Sequence, residues 1–198
     1  MTPLSRRTFL ATSAASLAAP ALGAEPQPYL LDKAASKVGF IFTLAGNAQR
    51  GTMPVTSADI QVDAADLAAS SVDVRVDAAG ARTNLFFATQ AMKSAEVLDV
   101  AAHPTIRFVS KEVELGTGGR LSDGAKLQGD LTLRGVTKPV EFEASLYRKP
   151  GSAAKDLSEL SIQLHGQISR SAFGATGYPD LVPDPIVLDI FALIRRAP

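Results

Sequence analysis

Apolar and polar residues alternate along most of the chain, and this two-residue period is typical of β-strands with one face in water. Asp73 and Arg75, for example, stand between three valines and mark the polar side of their strand. Stripes of this kind recur at spacings typical of an antiparallel sheet. The apolar positions of the clearest stripes are Val38, Phe40, Phe42 and Leu44; Val72, Val74 and Val76; Leu160, Ile162, Leu164, Gly166 and Ile168; and Ile186, Leu188, Ile190, Ala192 and Ile194.

The clearest hairpin runs from Gly129 to Leu146, with a predicted turn from Gly135 to Pro139. The apolar positions of its first strand have odd numbers and those of its second strand have even numbers, so each strand has one wet side. These positions are Leu127, Gly129, Leu131 and Leu133, followed by Val140, Phe142, Ala144 and Leu146.

Two further segments complete the predicted set of about eight strands. Ile106 and Phe108 open a strand that reaches Val113 and Leu115 if a bulge shifts its phase, and another strand is expected between residues 50 and 62. A sheet with one apolar face has to bury that face, and closing the sheet also removes its unpaired edges. We therefore predict an all-β protein, an eight-stranded antiparallel barrel, with a two-sheet sandwich as the alternative.

Residues 84–94 break the alternation with apolar side chains three to four positions apart. This spacing predicts a short helix, which we place at the mouth of the barrel. Thr83 or Asn84 is a suitable N-cap, since either side chain can accept a hydrogen bond from the first helical turn. Phe86 and Phe87 are adjacent, so about 100° of rotation separates them and one surface cannot bury both. Either one ring faces a ligand entrance or both complete the cap of the core.

Two other stretches are predicted to be irregular. Residues 169–184 are rich in Gly and Pro and form the longest irregular stretch, which predicts a surface loop. Residues 116–124 predict a hairpin turn between two strands.

The first 24 residues predict an export signal. Arg6 and Arg7 precede a weakly apolar run from Thr8 to Ala19, and small residues that can be cleaved follow it. Ser-Arg-Arg-Thr-Phe-Leu at residues 5–10 matches the twin-arginine export consensus, although a general secretory signal with two arginines is an alternative. We expect residues 1–24 to be removed and residues 25–198 to form one barrel domain in the periplasm.

Composition argues against several functional classes. The 198 residues include no cysteine and only two histidines, so disulfides are impossible and a histidine metal site is not expected. The 20 basic and 20 acidic residues cancel, and loss of Arg6 and Arg7 leaves a net charge of −2. No basic run supports nucleic-acid binding. No later segment has the roughly 20 apolar residues of a membrane helix, so we expect a soluble mature protein.

A barrel of this size is either filled by its own side chains or holds one small ligand. Four inward positions, Gly129, Ala144, Gly166 and Ala192, are small. They favour an apolar cavity, with a tapering closed barrel as the alternative. A long apolar ligand needs buried area rather than a reactive group or cofactor, because each buried methylene contributes about 0.8 kcal/mol.

The hairpin also carries Leu-Thr-Leu-Arg-Gly-Val-Thr-Lys-Pro-Val at residues 131–140, which closely resembles a motif of the YceI-like family. The resemblance extends over nearly the whole mature chain. Further similar stretches are Ser-Lys-Val-Gly-Phe at 36–40, Lys-Ser-Ala-Glu-Val-Leu-Asp at 93–99, His-Pro-Thr-Ile-Arg-Phe at 103–108 and Ser-Arg-Ser-Ala-Phe-Gly at 169–174.

This resemblance implies a lipocalin-like barrel with an elongated apolar cavity. It also implies a periplasmic protein that binds polyisoprenoids or other long lipids without catalysis. The chain departs from the family at two places that concern the ligand's head group. Leu44 stands where many relatives carry His, and Ala88 and Thr89 stand where they carry Arg-Asp.

Strand phase and resemblance together predict the ligand-binding residues. The apolar tail is expected to contact Phe40, Phe42, Phe86, Phe87, Met92, Phe108, Leu131, Leu133 and Phe142. A charged head group would need donors, for which Arg50, Arg82, Lys93 and Arg170 are the candidates nearest the mouth. We assign no catalytic residue, metal ligand or cofactor.

The predicted function is sequestration or transport of an isoprenoid or fatty-acyl lipid, and two alternatives stay open. An accessory module for a membrane partner such as a b-type cytochrome would show a large exposed apolar patch. A lipid-modifying enzyme would place a carboxylate or histidine with a perturbed pKa in the cavity, and the apolar stripes contain neither. Ligand identity, a carrier, scavenger or stress-response role, and oligomeric state, including a homodimer, are left open.

Overall fold

The computed structural model describes residues 25–116, 124–153 and 156–198. The export signal predicted for residues 1–24 and the tip of the turn predicted for residues 116–124 lie outside these ranges. Gly116 N–H donates to the Gly124 carbonyl (2.9 Å) on either side of that tip. The strands are β1 (Gln27–Leu31), β2 (Lys37–Leu44), β3 (Asn47–Met53), β4 (Val55–Val62), β5 (Ser71–Asp77), β6 (Arg82–Thr83), β7 (Thr105–Leu115), β8 (Ala125–Leu133), β9 (Val136–Arg148), β10 (Glu159–Ser169) and β11 (Pro185–Arg196).

Eight strands close into an antiparallel ring in the order β1, β4, β5, β7, β8, β9, β10 and β11, and β11 pairs back to β1. β2 continues the position of β1, because both pair with the same edge of β11. β3 pairs with β2 and carries the short β6 on its other edge. The predicted eight-stranded barrel is confirmed, and the sandwich alternative is wrong.

The strand predicted between residues 50 and 62 is divided by Pro54 into β3 and β4. Proline has no N–H to donate to a neighbouring strand, so it interrupts the ladder. The Pro54 carbonyl still accepts the Asp77 N–H (2.9 Å), which keeps the break attached to the end of β5.

A bulge in β7 lets one strand change its apolar phase. The register of β7 against β8 shifts between Ser110 and Glu112. Side chains on both sides of the bulge therefore reach the interior, and the predicted phase shift is confirmed. They are Ile106 and Phe108 before it, and Val113 and Leu115 after it.

The turn between β8 and β9 is tighter than predicted. Only Arg134 and Gly135 separate the strands, and both have positive φ (53° and 73°), which is typical of a two-residue type I′ turn. Residues 136–139 belong to β9 and pair with β8. The predicted turn from Gly135 to Pro139 is thus too long. A strand tolerates Pro139 because the β10 side of β9 is unpaired at this position, so no N–H is needed there.

The helix, α1 (Phe86–Lys93), begins two residues later than predicted. Its N-cap is Leu85, which makes no side-chain capping bond, so the prediction of Thr83 or Asn84 is wrong. Thr83 is held in β6, where its hydroxyl accepts the Leu85 N–H (3.1 Å) and lies 3.0 Å from the Thr89 hydroxyl. Thr83 therefore fixes the approach to the helix instead of capping it.

Residues 169–184 are mostly irregular, as predicted, but they are more than a surface loop. They contain a short 3-10 helix, Ser171–Phe173, and they bury Arg170, Phe173 and Ala175. Phe173 joins a core cluster near α1, whereas Tyr29, Leu160 and Ile194 belong to a second cluster near the other end. No helix within the described ranges is long and apolar enough to cross a membrane.

Candidate ligand-binding cavity

The inward faces of the strands enclose an apolar cavity of about 530 Å³. Its wall includes side chains from every strand of the closed ring and from α1. This volume lies within the range of small-molecule sites, about 300–1,000 Å³.

Three inward phenyl rings lie against the wall of the barrel, each over a glycine of the next strand. A Cβ at Gly129 would be 2.6 Å from the Phe108 ring, and one at Gly166 would be 2.7 Å from the Phe142 ring. Glycine leaves these rings room beside the wall, so the rings line the barrel without filling its centre. The third pair is Phe40 over Gly51.

This packing corrects part of the expectation about small inward residues. The space at Gly129 and Gly166 is occupied by Phe108 and Phe142, whose rings meet edge to face with centroids 5.4 Å apart. Ala144 and Ala192 do border the cavity. The two alanines therefore leave open volume, whereas the two glycines accommodate aromatic rings.

The predicted tail-contacting residues line the cavity with one exception, Phe86. The Phe86 ring is 71% exposed, and Phe87 is 84% exposed although it also borders the cavity. Neither ring is buried as a cap of the core. Contact between these residues and a ligand stays a prediction. The lining members are Phe40, Phe42, Phe87, Met92, Phe108, Leu131, Leu133 and Phe142.

The mouth is apolar at Leu44 and Ala88, two positions where the resemblance led us to expect polar side chains in the family. Leu44, at the end of β2, and Ala88, in α1, both lie in the cavity wall. Thr89 turns its hydroxyl to the Thr83 N–H (3.0 Å). These three residues offer no charge to a bound head group.

Arg170 is the one charged side chain in the cavity wall of the described chain, and its guanidinium is already engaged. It is 7% exposed and donates to the carbonyls of Ala175 (2.6 Å), Gly177 (2.7 Å), Val182 (2.7 Å) and Pro183 (3.3 Å). Burying a charge costs free energy unless hydrogen bonds compensate it. Arg170 therefore organises the irregular segment, and little of its donor capacity faces the cavity.

The other three predicted head-group cations lie outside the cavity wall. Arg50 is on the outer face, with Nη1 3.5 Å from Oδ2 of Asp189. Arg82 is exposed on β6, and Lys93 is half-buried in the last turn of α1. A charged head group would meet these three cations only outside the barrel.

The hydroxyls of three serines in the cavity wall, Ser36, Ser70 and Ser110, accept backbone N–H groups. Ser36 accepts the Leu193 N–H (3.0 Å), and Ser110 accepts the Val72 N–H (2.9 Å). Within the described ranges, the lining residues include no Asp, Glu, His or Lys. The serine hydroxyls can still donate their protons, so the interior offers apolar contact, a few neutral donors and almost no free charge.

Groups with shifted pKa values belong to the outside of the barrel. Two hydrogen bonds from Arg107 (2.9 and 2.6 Å) lower the pKa of Asp73 below its usual range. A hydrogen bond from the Ala35 N–H lowers the pKa of Asp32, and a hydrogen bond from Arg195 lowers it further. These are surface ion pairs and hydrogen bonds, and none of their carboxylates lines the cavity.

Sequence reasoning missed lining residues in the irregular segments. Leu67, in the 3-10 helix Leu67–Ala69, borders the cavity at the end opposite α1. Tyr178 and Leu181 border it at the mouth. The sequence held one signal for these residues. Within a Pro-rich stretch, apolar side chains occur at 178, 181 and 182, three and four positions apart.

Comparison with protein families agrees with the fold. A model of the YceI-like domain matches residues 29–192, from β1 into β11. The chain belongs to the YceI-like family. The resemblance seen in the hairpin motif is therefore confirmed across the barrel.

Two similar sequences come from bacteria. A UPF0312 protein of Pseudomonas savastanoi pv. phaseolicola is 34% identical over 121 residues, which cover 61% of this chain and 58% of that protein. UPF0312 protein VPA0850 of Vibrio parahaemolyticus is 29% identical over 142 residues, with 70% and 73% covered. The chain thus spans less than two thirds of the Pseudomonas protein's length.

Three solved structures share the fold. Burkholderia cenocepacia BcnA superposes with a TM-score of 0.72 at 19% identity, covering 83% of this chain and 99% of that one. A polyisoprenoid binding domain from Saccharophagus degradans gives 0.63 at 10% identity, with 86% and 99% covered. The Campylobacter jejuni YceI protein gives 0.58 at 24% identity, with 72% and 81% covered.

Proposed function

We propose that this YceI-like protein binds and carries a long apolar molecule, an isoprenoid or fatty-acyl lipid. The observation that carries this proposal is a closed barrel whose cavity of about 530 Å³ is lined almost entirely by apolar side chains. Similarity to a polyisoprenoid binding domain supports the same class of ligand. The motif at residues 5–10 supports a periplasmic location, reached by twin-arginine export.

The cavity favours a ligand whose buried part is uncharged. Arg170 is engaged by four carbonyls, so its charge is not free to pair with an anion inside the cavity. A carboxylate or pyrophosphate drawn inside would lose its hydration and would meet only neutral donors such as serine hydroxyls, with no free cation to compensate its charge. A head group of that kind would have to stay in water at the mouth.

Binding, rather than catalysis, is the activity that this cavity supports. Nucleophilic or acid–base chemistry needs a reactive side chain within hydrogen-bond reach of the substrate. The lining residues of the described chain supply none with a free carboxylate or imidazole. Affinity comes instead from apolar area, at about 0.8 kcal/mol for each methylene buried.

Titration with retinol, a fluorescent isoprenoid alcohol, tests the use of the cavity. Ala192→Phe puts a ring into the cavity, whereas Val187→Phe adds the same ring to the outer side of β11. We expect Ala192→Phe to weaken retinol binding at least about tenfold, the equivalent of about two lost methylene contacts. Val187→Phe should bind like the unchanged protein.

Ala144→Phe provides a second filled cavity in case Ala192→Phe folds poorly, and circular dichroism checks the fold of each variant. If the unchanged protein and the Phe variants at positions 144 and 192 bound retinol equally well, the proposal would be contradicted. Retinoic acid, which replaces the alcohol by a carboxylate, should bind more weakly than retinol. Tighter binding of the acid would contradict an uncharged interior.

A second function, as an accessory to a membrane protein, is favoured by one observation. Leu85, Phe86 and Phe87 form an exposed apolar group at the start of α1. A photo-crosslinking amino acid at position 86, used in living cells, distinguishes the two roles. Capture of one membrane protein would favour the accessory role, and crosslinks to lipid alone would count against it.

A further inference from the structure

Exposed apolar side chains surround the mouth of the cavity. The rings of Phe86 and Phe87 are 71% and 84% exposed, and their centroids are 5.8 Å apart. Leu85 precedes them and is exposed too. Single exposed apolar residues are common on proteins, but adjacent aromatic rings in water need an explanation.

A second segment contributes to the same rim. Tyr178 and Leu181 are exposed, and like Phe87 they border the cavity. The Leu181 carbonyl accepts the Ala45 N–H (2.9 Å), which fixes this segment to the turn after β2. We call Leu85, Phe86, Phe87, Tyr178 and Leu181 the mouth rim.

The charges around the start of α1 suit an interface between water and lipid. Residues 84–92 include no charged side chain, so their insertion would strip no ion of its water. Arg82 stands just before this stretch and Lys93 just after it. Cations at these places would lie level with the phosphates of lipid head groups when the helix start is inserted.

We propose that the mouth rim docks on a phospholipid bilayer, with Phe86 and Phe87 at the boundary between head groups and acyl chains. Phe87 belongs to both the rim and the cavity wall, so the apolar wall continues onto the surface. A lipid that moves between bilayer and cavity would stay out of water along this path. The transfer step rests on the proposed lipid-carrier function, whereas docking itself can be measured without a ligand.

A bilayer fits the rim better than a groove on another protein does. The two rings are adjacent in the chain and contact each other edge to face, whereas a helix that docks in a protein groove presents anchors three and four residues apart. The acyl boundary surrounds side chains that point in several directions. Asp180 is exposed between Tyr178 and Leu181, so the second rim segment has to lie at the level of the head groups. A protein groove or a second copy of this chain is thus an alternative that the experiment has to exclude.

Tryptophan fluorescence gives a direct readout, because the chain has no tryptophan of its own. Phe86→Trp places the probe on the rim without changing a cavity-lining residue. Tyr147→Trp is the matched control, since Tyr147 is a 52% exposed aromatic near the opposite end of the barrel. With phosphatidylcholine vesicles, the emission of the Phe86→Trp variant should shift to the blue and be quenched by brominated acyl chains. The emission of the Tyr147→Trp variant should stay unchanged.

Vesicle flotation measures how much the ring contributes to binding. Phe86→Ser should weaken binding to phosphatidylcholine vesicles roughly tenfold, and Tyr147→Ser should leave it unchanged. Adding phosphatidylglycerol should strengthen binding several-fold, through Arg82 and Lys93. The proposal would be overturned if the protein bound only vesicles that contain phosphatidylglycerol and Phe86→Ser did not weaken this binding.

Two other outcomes would also overturn docking on a bilayer. One is an emission of the Phe86→Trp variant that stays that of a water-exposed ring at every vesicle concentration. The other is a blue shift that follows protein concentration without vesicles, which would assign the rim to a second copy. If the protein binds retinol but does not bind vesicles, the docking proposal fails and the proposed carrier function stands. If it binds vesicles but not retinol, the carrier function fails and the docking surface stands.

Discussion

Gly51 and Phe40 provide a sharp test of how this barrel combines inward phenylalanines with an open centre. The two residues are directly opposite each other on β3 and β2. The three atoms that would lie nearest a Cβ at Gly51 are all carbons of the Phe40 ring. Gly51 does not have a positive φ, so the space beside the ring, and not the backbone conformation, requires glycine here.

Gly51→Ala should therefore lower the free energy of unfolding through a clash with the ring. Overpacking of this kind costs about 1–3 kcal/mol, and the smaller chain entropy of alanine offsets about 0.5–1 kcal/mol of it. We expect a net loss of about 1–2 kcal/mol. In a Phe40→Leu background the ring is gone, so the same substitution should be neutral or stabilising.

Urea unfolding followed by circular dichroism measures the four members of this double-mutant cycle. The coupling free energy should be about 1–3 kcal/mol. Gly177→Ala is the control, since its new Cβ would meet Glu96 Cβ at 2.8 Å and should destabilise both backgrounds equally. Equal loss from Gly51→Ala with and without the Phe40 ring would refute the account of rings held against the wall.

Three further predictions follow from the charged residues. Arg170→Met should lower the free energy of unfolding in urea by at least about 1–3 kcal/mol, because it leaves buried carbonyls without a donor. Arg170→Lys should recover only part of this loss, and equal stability of the unchanged protein and both variants would contradict the role of Arg170. The pKa of Asp73 is lowered by Arg107, so their interaction stabilises the fold above the ordinary Asp pKa of about 3.9 and is lost as the pH falls through the lowered value. Urea midpoints across this acid range should therefore fall less steeply for Asp73→Asn, and an unchanged slope would refute the coupling. Arg50→Gln should leave the retinol dissociation constant unchanged because Arg50 lies outside the cavity wall, and a large loss of affinity would show that Arg50 reaches the ligand.

The two-residue period made the inward face of each strand predictable. Val113 and Leu115 change phase relative to Ile106 and Phe108, and a bulge was the simplest way to keep all four side chains inside. Most of the cavity wall could therefore be predicted from local pattern. The small inward residues already favoured a cavity over a packed centre, and the family motif added the expectation that it is elongated.

The features that sequence reasoning missed depend on contacts between separate segments. The burial of Arg170 follows from carbonyls at residues 175–183, which only the folded segment brings together. The role of Gly129 depends on the Val109 carbonyl and the Phe108 ring, both from the adjacent strand. Thr83 could cap a helix by its residue type, but its place in β6 directs its hydroxyl elsewhere.

The central claim is that the barrel holds a long apolar molecule, and native mass spectrometry of protein purified from its own cells tests it most directly. We predict one co-purifying molecule per barrel, released by organic solvent, with a long apolar part that the cavity encloses. Ala192→Phe purified in the same way should lack it. A barrel that emerges empty under these conditions, or that carries a polar molecule unaffected by Ala192→Phe, would contradict the claim.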